Sequence, residues 1–143
     1  MKVRHVGITV TDLQRSLRFY RDLLGFSVIK EMDECGVHID NFSDLKNIDV
    51  RTVKMAAADG STIELLQYRS HPEGNEENRI KNITQIGCSH FALTVPDLPQ
   101  LYSTLLEGGI SVICEPQYSP DGNVRLTFCR DPDGTLIELV EEL

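Results

Sequence analysis

The segment His90-Phe-Ala-Leu-Thr-Val-Pro-Asp-Leu98 has a counterpart at the N-terminus, His5-Val-Gly-Ile-Thr-Val-Thr-Asp-Leu13. Histidine, threonine, valine, aspartate and leucine occupy the same places in both segments. A second motif follows each of them, because Asp59-Gly-Ser-Thr-Ile-Glu-Leu65 returns as Asp133-Gly-Thr-Leu-Ile-Glu-Leu139. An internal repeat is a stronger guide to architecture than any local pattern. The chain therefore contains an internal repeat of one structural unit. We expect each copy to begin with a strand that carries His and to end with a strand that carries Glu.

Length, charge and composition bound the class of protein. The 143 residues suffice for one domain, or for two small modules that share a core. The formal net charge of −8 argues against partners such as nucleic acid or an anionic membrane, which require a basic face. No apolar run reaches transmembrane length and no signal-peptide pattern is present, so we expect a cytoplasmic protein. The four cysteines are then expected to be reduced, buried thiols: Cys35, Cys88, Cys114 and Cys129.

The first module is predicted to span residues 1–69. Within residues 3–10, Val6, Ile8 and Val10 alternate with His5, Gly7 and Thr9, which predicts a strand. Asp12 is the expected N-cap of an amphipathic helix that Gly25 ends. The rest of the module is predicted as a strand at 26–29, an irregular excursion at 31–49, and strands at 50–57 and 62–68.

The second module, predicted at 87–143 after a polar linker at 70–86, repeats this order. Asp97 is the expected cap of its helix. Its strands are predicted at 89–95, 110–114, 124–129 and 136–140, with a loop at 115–123. Each module is then βαβββ. The predicted fold is α+β: one domain in which two tandem modules form a curved mixed sheet around a metal-binding cavity, with the helices on one side.

The repeated histidines and glutamates are the candidate functional residues. Isoleucine and leucine flank both glutamates; if these aliphatic side chains face the helices, alternation turns both glutamates, and the histidines with them, to the opposite face. A duplication need not retain His and Glu at both equivalent sites, so their retention favours one four-ligand site: His5, Glu64, His90 and Glu138. Imidazole and carboxylate suit a divalent ion such as Ni, Co, Zn, Mn or Fe(II), with positions left open for water or a small-molecule substrate.

Other polar and aromatic residues match this pattern less well. His38 and His71 lie in irregular polar segments and have no counterpart in the other module. Tyr20 and Tyr102 fall in the apolar stripes of the predicted helices, which indicates packing. Arg125 is a minor candidate for the cavity face.

Three segments resemble the vicinal oxygen chelate superfamily, the group of glyoxalases, bleomycin-resistance proteins and extradiol dioxygenases. They are the repeated opening His-x-x-[Ile/Leu]-x-Val-x-Asp-Leu, the run Phe19-Tyr-Arg-Asp-Leu-Leu-Gly-Phe26, and the ending Arg130-Asp-Pro-Asp-Gly-Thr-Leu-Ile-Glu-Leu139. The resemblance covers nearly the whole chain. It implies paired βαβββ units around a metal site, in agreement with the prediction from the residues. It is less specific for the reaction, because one fold hosts many activities.

Within that superfamily the chain resembles glyoxalase I of the bacterial His-Glu-His-Glu type. The resemblance implies metal ligands at His5, Glu64, His90 and Glu138, and a metal-dependent lyase or isomerase like lactoylglutathione lyase. In such an enzyme Glu138 or Glu64 would act as a general base beside a carbonyl polarised by the metal. We expect Glu138 to be the base, because the glyoxalase, epimerase and dioxygenase patterns share the glutamate of the closing strand.

Departures from the pattern leave the substrate open between a glutathione adduct, an acyl-CoA and another small molecule. Thr9 stands where similar glyoxalases have arginine, and asparagine would be expected around Tyr68. Methylmalonyl-CoA epimerases share the arrangement but typically have glutamine at Glu64, and Asp49 is the nearest candidate for their second base. An Fe(II) extradiol dioxygenase would use His5, His90 and Glu138 as ligands. Glu64 would then crowd the position that its substrates, molecular oxygen and a catechol, need. Bleomycin-binding relatives have generally lost the metal residues, yet a non-catalytic binding protein stays an alternative.

Assembly is also implied by the resemblance. Members similar to this chain are frequently dimers, so we expect a homodimer. Two modules in one chain can close a cavity together, or each can pair across a twofold axis with a second chain. The predicted linker is long enough for either route.

Overall fold

The computed structural model describes residues 1–71 and 83–143. The chain divides into two units, Met1–Glu76 and Glu77–Leu143. Each contains a four-stranded mixed sheet accompanied by helical segments, which confirms the predicted α+β fold of two modules. Most of the predicted linker at 70–86 lies outside the described residues, and the module boundaries at 69 and 87 stay predictions.

In the first unit the strands follow the order β1-β4-β3-β2. They are β1 (Val6–Thr9), β2 (Ser27–Cys35), β3 (Asp49–Ala56) and β4 (Thr62–Tyr68). The opening strand β1 pairs in parallel with the closing strand β4, and the other pairs are antiparallel. The parallel pairing places the start of the module directly beside its end, which is where the repeated histidine and glutamate lie.

Both predicted helix caps are present. Asp12 accepts a hydrogen bond of 3.0 Å from the backbone N–H three residues later, at the start of α1 (Leu13–Leu17). Asp97 does the same at 2.9 Å for α3 (Leu98–Glu107). Each carboxylate satisfies a backbone donor that the first helical turn leaves without a partner.

In the part of the chain that the structure describes, no helix is long and apolar enough to cross a membrane.

The first helix changes its winding after α1. A π-helical segment, Arg18–Leu23, continues it, and the backbone N–H of Leu24 donates to the carbonyl oxygen of Phe19, five residues earlier. The wider winding lets two consecutive aromatic residues, Phe19 and Tyr20, both be fully buried, with ring centroids 4.8 Å apart in an edge-to-face contact. The prediction that Tyr20 is a packing residue is confirmed.

The prediction of an irregular excursion at 31–49 is wrong. Strand β2 continues to Cys35, and a helix, α2 (Val37–Ser43), follows it. β2 lies at the edge of its sheet, where charged side chains are tolerated. Its acidic residues Glu31 and Asp33 form ion pairs with Arg51 on β3. The polar composition therefore reflects cross-strand ion pairs and not a loop.

Helix α2 is held by apolar packing that its own sequence does not reveal. Ile39 is buried together with Ile48 and Val50, and Leu66 and Tyr68 pack against this cluster. The last two residues come from β4, so α2 covers one end of the sheet face that they share. This packing supplies most of what stabilises so short a helix, because an isolated helix of this length is not stable in water.

In the second unit the strands follow the order β5-β8-β7-β6. They are β5 (Phe91–Thr94), β6 (Gln117–Tyr118), β7 (Val124–Arg130) and β8 (Leu136–Glu142). Again the opening and closing strands, β5 and β8, are parallel, while β7 runs antiparallel to both of its neighbours. The repeat in the sequence is therefore a repeat in topology.

The predicted strand at 110–114 is wrong. Only an isolated bridge between Val112 and Cys129 forms there. The Thr127 hydroxyl donates a 2.6 Å hydrogen bond to the carbonyl oxygen of Cys114, so a side chain takes an acceptor that a regular ladder would use. The two-residue strand β6 lies instead within the predicted loop at 115–123.

The cysteines form no disulfide bond, as expected, but only one of them is buried. Cys129 lies in the core, where burial raises the pKa of its thiol to about 12. The other three are exposed, contrary to the prediction: Cys35, Cys88 and Cys114. They lie at the end of an edge strand or outside the strands and helices, where the sheets do not cover them.

Candidate metal centre

The first unit brings His5 and Glu64 together. His5 immediately precedes β1, and the parallel register sets Gly7 opposite Glu64 on β4. Ile63 and Leu65 are buried on the other face of β4, so Glu64 projects from the face that the alternation predicts. His5 Nε2 lies 3.4 Å from Glu64 Oε2, with 30% and 15% of the two side chains exposed.

The second unit repeats this arrangement with His90 and Glu138. His90 immediately precedes β5, and Ala92 stands opposite Glu138 on β8. The distance from His90 Nε2 to Glu138 Oε2 is again 3.4 Å, and the two side chains are 29% and 22% exposed. Each module thus brings its repeated histidine and glutamate together, with the same geometry in both.

The pairs have the spacing of two donors on one metal ion. Donors bound at about 2.1 Å to the same ion lie roughly 3.0–3.4 Å apart, depending on the angle at the metal. The observed nitrogen–oxygen distance of 3.4 Å falls within that range and is longer than an ordinary hydrogen bond. Within residues 1–71 and 83–143, no three or more His, Cys, Asp or Glu side chains lie together in an arrangement that could hold a metal ion. Each unit by itself presents a two-donor pair, and their joining in one site stays a prediction.

The second ring nitrogens of the histidines fit metal binding through Nε2. His90 Nδ1 lies 2.9 Å from the hydroxyl oxygen of Ser89. When Nδ1 carries the ring proton and donates a hydrogen bond to the Ser89 hydroxyl, Nε2 keeps its lone pair for a metal. His5 Nδ1 is buried and has no hydrogen-bond partner among the described residues. The two imidazoles therefore present Nε2 to their carboxylates but differ in what supports the ring.

The two carboxylates also have different neighbours. Lys54 stands opposite Glu64 in the sheet register, and its ammonium nitrogen is 3.2 Å from Glu64 Oε1. Phe128 occupies the equivalent place opposite Glu138. Its ring packs edge-on against His90, with the centroids 5.3 Å apart. One pair thus has a cation beside it and the other an aromatic ring.

Arg125 does not lie on the sheet face that carries Glu138. It stands opposite Glu141 in the register, and its guanidinium Nε donates to Glu141 Oε2. That hydrogen bond holds the pKa of Glu141 below its usual range, and the same carboxylate accepts a 3.1 Å bond from the backbone N–H of Leu98 at the start of α3. Glu141 alternates with Glu138 along β8 and points to the opposite face, so the interpretation of Arg125 as a cavity residue is wrong.

The remaining candidates have other partners. Asp49 is bound by Arg69 and alternates with Val50, which places it on the face opposite Glu64. His38 contacts the ring of a phenylalanine, and His71 contacts the hydroxyl of Ser70. None of these contacts joins either His–Glu pair.

The two positions that depart from the glyoxalase pattern, Thr9 and Tyr68, lie on the face of Glu64. Thr9 pairs with Leu66 and is exposed, whereas Tyr68 packs against the cluster beneath α2. Neither carries a charge. Three neighbours of the site were missed from the sequence: Ser89, Lys54 and Phe128. Ser89 could have been noticed beside the histidine, but the other two require the strand register.

Known proteins resemble this chain along nearly its whole length. A sequence model of the Glyoxalase/Bleomycin resistance protein/Dioxygenase superfamily matches residues 2–139. A probable lactoylglutathione lyase of Synechocystis sp. is 29% identical over 142 residues, 99% of this chain and 95% of that protein. The uncharacterized protein YwkD of Bacillus subtilis is 31% identical over 144 residues, 98% of this chain and 96% of that protein.

The fold is also found among solved structures. The crystal structure of a glyoxalase family protein from Bacillus cereus is 26% identical and has a TM-score of 0.89. The match covers 100% of this chain and 95% of that chain. The likeness therefore extends over both units.

Proposed function

Because the chain belongs to the Glyoxalase/Bleomycin resistance protein/Dioxygenase superfamily, we propose that it is a metal-dependent lyase or isomerase similar to lactoylglutathione lyase. It would move a proton beside the carbonyl group of a small substrate. The observation that carries this proposal is the His–Glu pair, present in each unit with the same 3.4 Å separation. One divalent ion, of Ni, Co, Zn, Mn or Fe(II), would be held by the two pairs: His5, Glu64, His90 and Glu138.

The ion, when bound, would act as a Lewis acid on the substrate carbonyl and make the neighbouring C–H acidic. Among the described residues, the Glu138 carboxylate is paired with a polar group only at Oε2, by His90. Oε1 of Glu138 is then available to take a proton. Both oxygens of Glu64 have partners, because His5 lies against Oε2 and Lys54 against Oε1. This difference supports Glu138 as the general base.

The base must return the proton that it takes. Return to the neighbouring carbon completes an isomerisation of the glyoxalase type, and return to the opposite face of the same carbon completes an epimerisation. The second base that an epimerase needs was predicted at Asp49, which Arg69 binds on the other face of the sheet. No contact of the described residues therefore favours epimerisation over isomerisation.

The test is metal analysis of the purified protein followed by incubation in deuterium oxide with hemithioacetals and acyl-CoA thioesters. We expect Ni, Co or Zn, and uptake of deuterium at the carbon beside the carbonyl. Bound Fe(II) with oxygen consumption on catechols and no deuterium uptake would favour the dioxygenase. A protein that binds substrate without any metal would instead be a non-catalytic binder.

We further expect a homodimer, on the basis of the resemblance to dimeric members of the superfamily. Sedimentation of the dilute protein should give about twice the 16.1 kDa mass of the chain. A monomer at all concentrations would contradict this. In a dimer, mixing the His5→Ala and His90→Ala variants would restore metal binding only if one site takes its two pairs from different chains.

A further inference from the structure

A row of charged side chains crosses the sheet of the first unit beside the His5–Glu64 pair. The strand register sets Lys54 opposite Glu64, and Lys30 opposite Lys54. Directly opposed residues of antiparallel strands point to the same face. One carboxylate and two ammonium-bearing side chains therefore follow one another on the face that carries the candidate metal ligands.

Lys54 lies in an interior strand of the sheet, with only 25% of its side chain exposed. Like charges directly opposite each other destabilise a sheet, so an adjacent pair of lysines needs a compensating negative charge. The nearby carboxylates of Glu31 and Asp33 do not supply it, because they bind Arg51 on the other face. Glu64 provides one negative charge for two lysines.

This balance changes if a divalent ion binds Glu64. The ion would neutralise the carboxylate, and the ammonium of Lys54 would then have its charge available for another anion. The strand beside Glu64 offers no competing charge on this face, since Gly7 and Thr9 stand there. The second unit has no equivalent cation, because Phe128 takes the place of Lys54.

We propose that Lys54, supported by Lys30, binds a carboxylate of the substrate. The substrate class is then small 2-oxo acids, whose carbonyl oxygen lies next to the carboxylate that Lys54 holds. This inference rests on the proposed function, since the metal ion must occupy Glu64. It assigns to Lys54 a role in specificity and leaves proton transfer to Glu138.

The test uses the full chain loaded with Zn²⁺ and two probes of nearly equal shape, pyruvate and its uncharged amide. Metal content is measured first, and the dissociation constants of both probes are then measured by calorimetry. The ion itself attracts pyruvate, so the informative quantity is the preference for pyruvate over the amide. In Lys54→Met we expect that preference to fall about tenfold, the effect of removing one nearby positive charge.

Two further variants separate specificity from structure. Lys54→Arg keeps the charge and should keep most of the preference, whereas Lys46→Met, which removes an exposed lysine elsewhere in the unit, should not change it. If Lys54→Met binds Zn²⁺ and its preference equals that of the wild type, the inference is wrong although the proposed function stands. If the wild type binds no metal, the proposed function fails, and this inference fails with it.

Discussion

The Glu138→Gln variant is expected to retain its metal ion and to lose proton exchange by about 10²–10⁴-fold, the usual contribution of a general base. The amide keeps the size of the side chain and one oxygen ligand but does not accept a proton near neutral pH. The measurement is uptake of solvent deuterium at the carbon beside the substrate carbonyl. Metal content is determined on the same sample, because a loss of metal would lower exchange for a different reason.

Two matched variants accompany Glu138→Gln. Glu142→Gln changes an exposed carboxylate on the same strand and the same face, and it should leave exchange unchanged. Glu64→Gln should reduce exchange less, because the Glu64 carboxylate already has His5 and Lys54 as partners. Undiminished exchange in both Glu138→Gln and Glu64→Gln would rule out proton transfer by these residues, and oxygen chemistry or simple binding would remain.

The double variant His5→Ala/His90→Ala is expected to lose affinity for divalent ions by more than about 100-fold. Mutation of a residue that merely supports a metal ligand costs about 10–100-fold, and this change removes two ligands outright. Affinity is measured by competition with a chromophoric chelator for Zn²⁺ and Ni²⁺. Both side chains are about one-third exposed, so their truncation should leave the fold intact.

The matched control replaces the two histidines outside the pairs, in His38→Ala/His71→Ala. It removes the same number of imidazoles, and any loss of metal there would reveal nonspecific binding to surface histidines. His38 contacts a phenylalanine ring and His71 a serine hydroxyl, and neither contacts a His–Glu pair, so affinity should stay at the wild-type value. Full metal content in the His5→Ala/His90→Ala protein would exclude the proposed site.

The two His–Glu pairs share their geometry but not their surroundings, and this difference suggests how a duplicated site can divide its tasks. Glu138 has its histidine as its one polar partner among the described residues, and Phe128 stands opposite it in the strand register. Glu64 is contacted from both sides, by an imidazole and an ammonium group. The surroundings of Glu138 fit a carboxylate that moves a proton, and those of Glu64 fit a carboxylate that is held in place.

Much of the fold could be predicted because its signals are local or repeated. The alternation within 3–10 and the caps Asp12 and Asp97 depend on neighbouring residues only. The structure confirms both caps and has a strand inside the predicted range, at Val6–Thr9. The irregular segments could not be predicted in this way. Helix α2 is stabilised by the packing of Ile39 against Ile48 and Val50. The polar strand Ser27–Cys35 is stabilised by the ion pairs of Glu31 and Asp33 with Arg51. These contacts join residues that are distant in the sequence or separated by a turn.

The sequence by itself determined the architecture of two similar modules and the face of the closing strand on which each glutamate lies. Both follow from the period-two alternation of strands and from a motif that occurs twice. Only the tertiary structure decided what surrounds each pair. Lys54 and Phe128 are opposite the two glutamates because of the register between neighbouring strands, which depends on turns and on packing across the sheet. A shift of one residue would turn both side chains to the other face, so their place beside the site could not be predicted from composition or spacing.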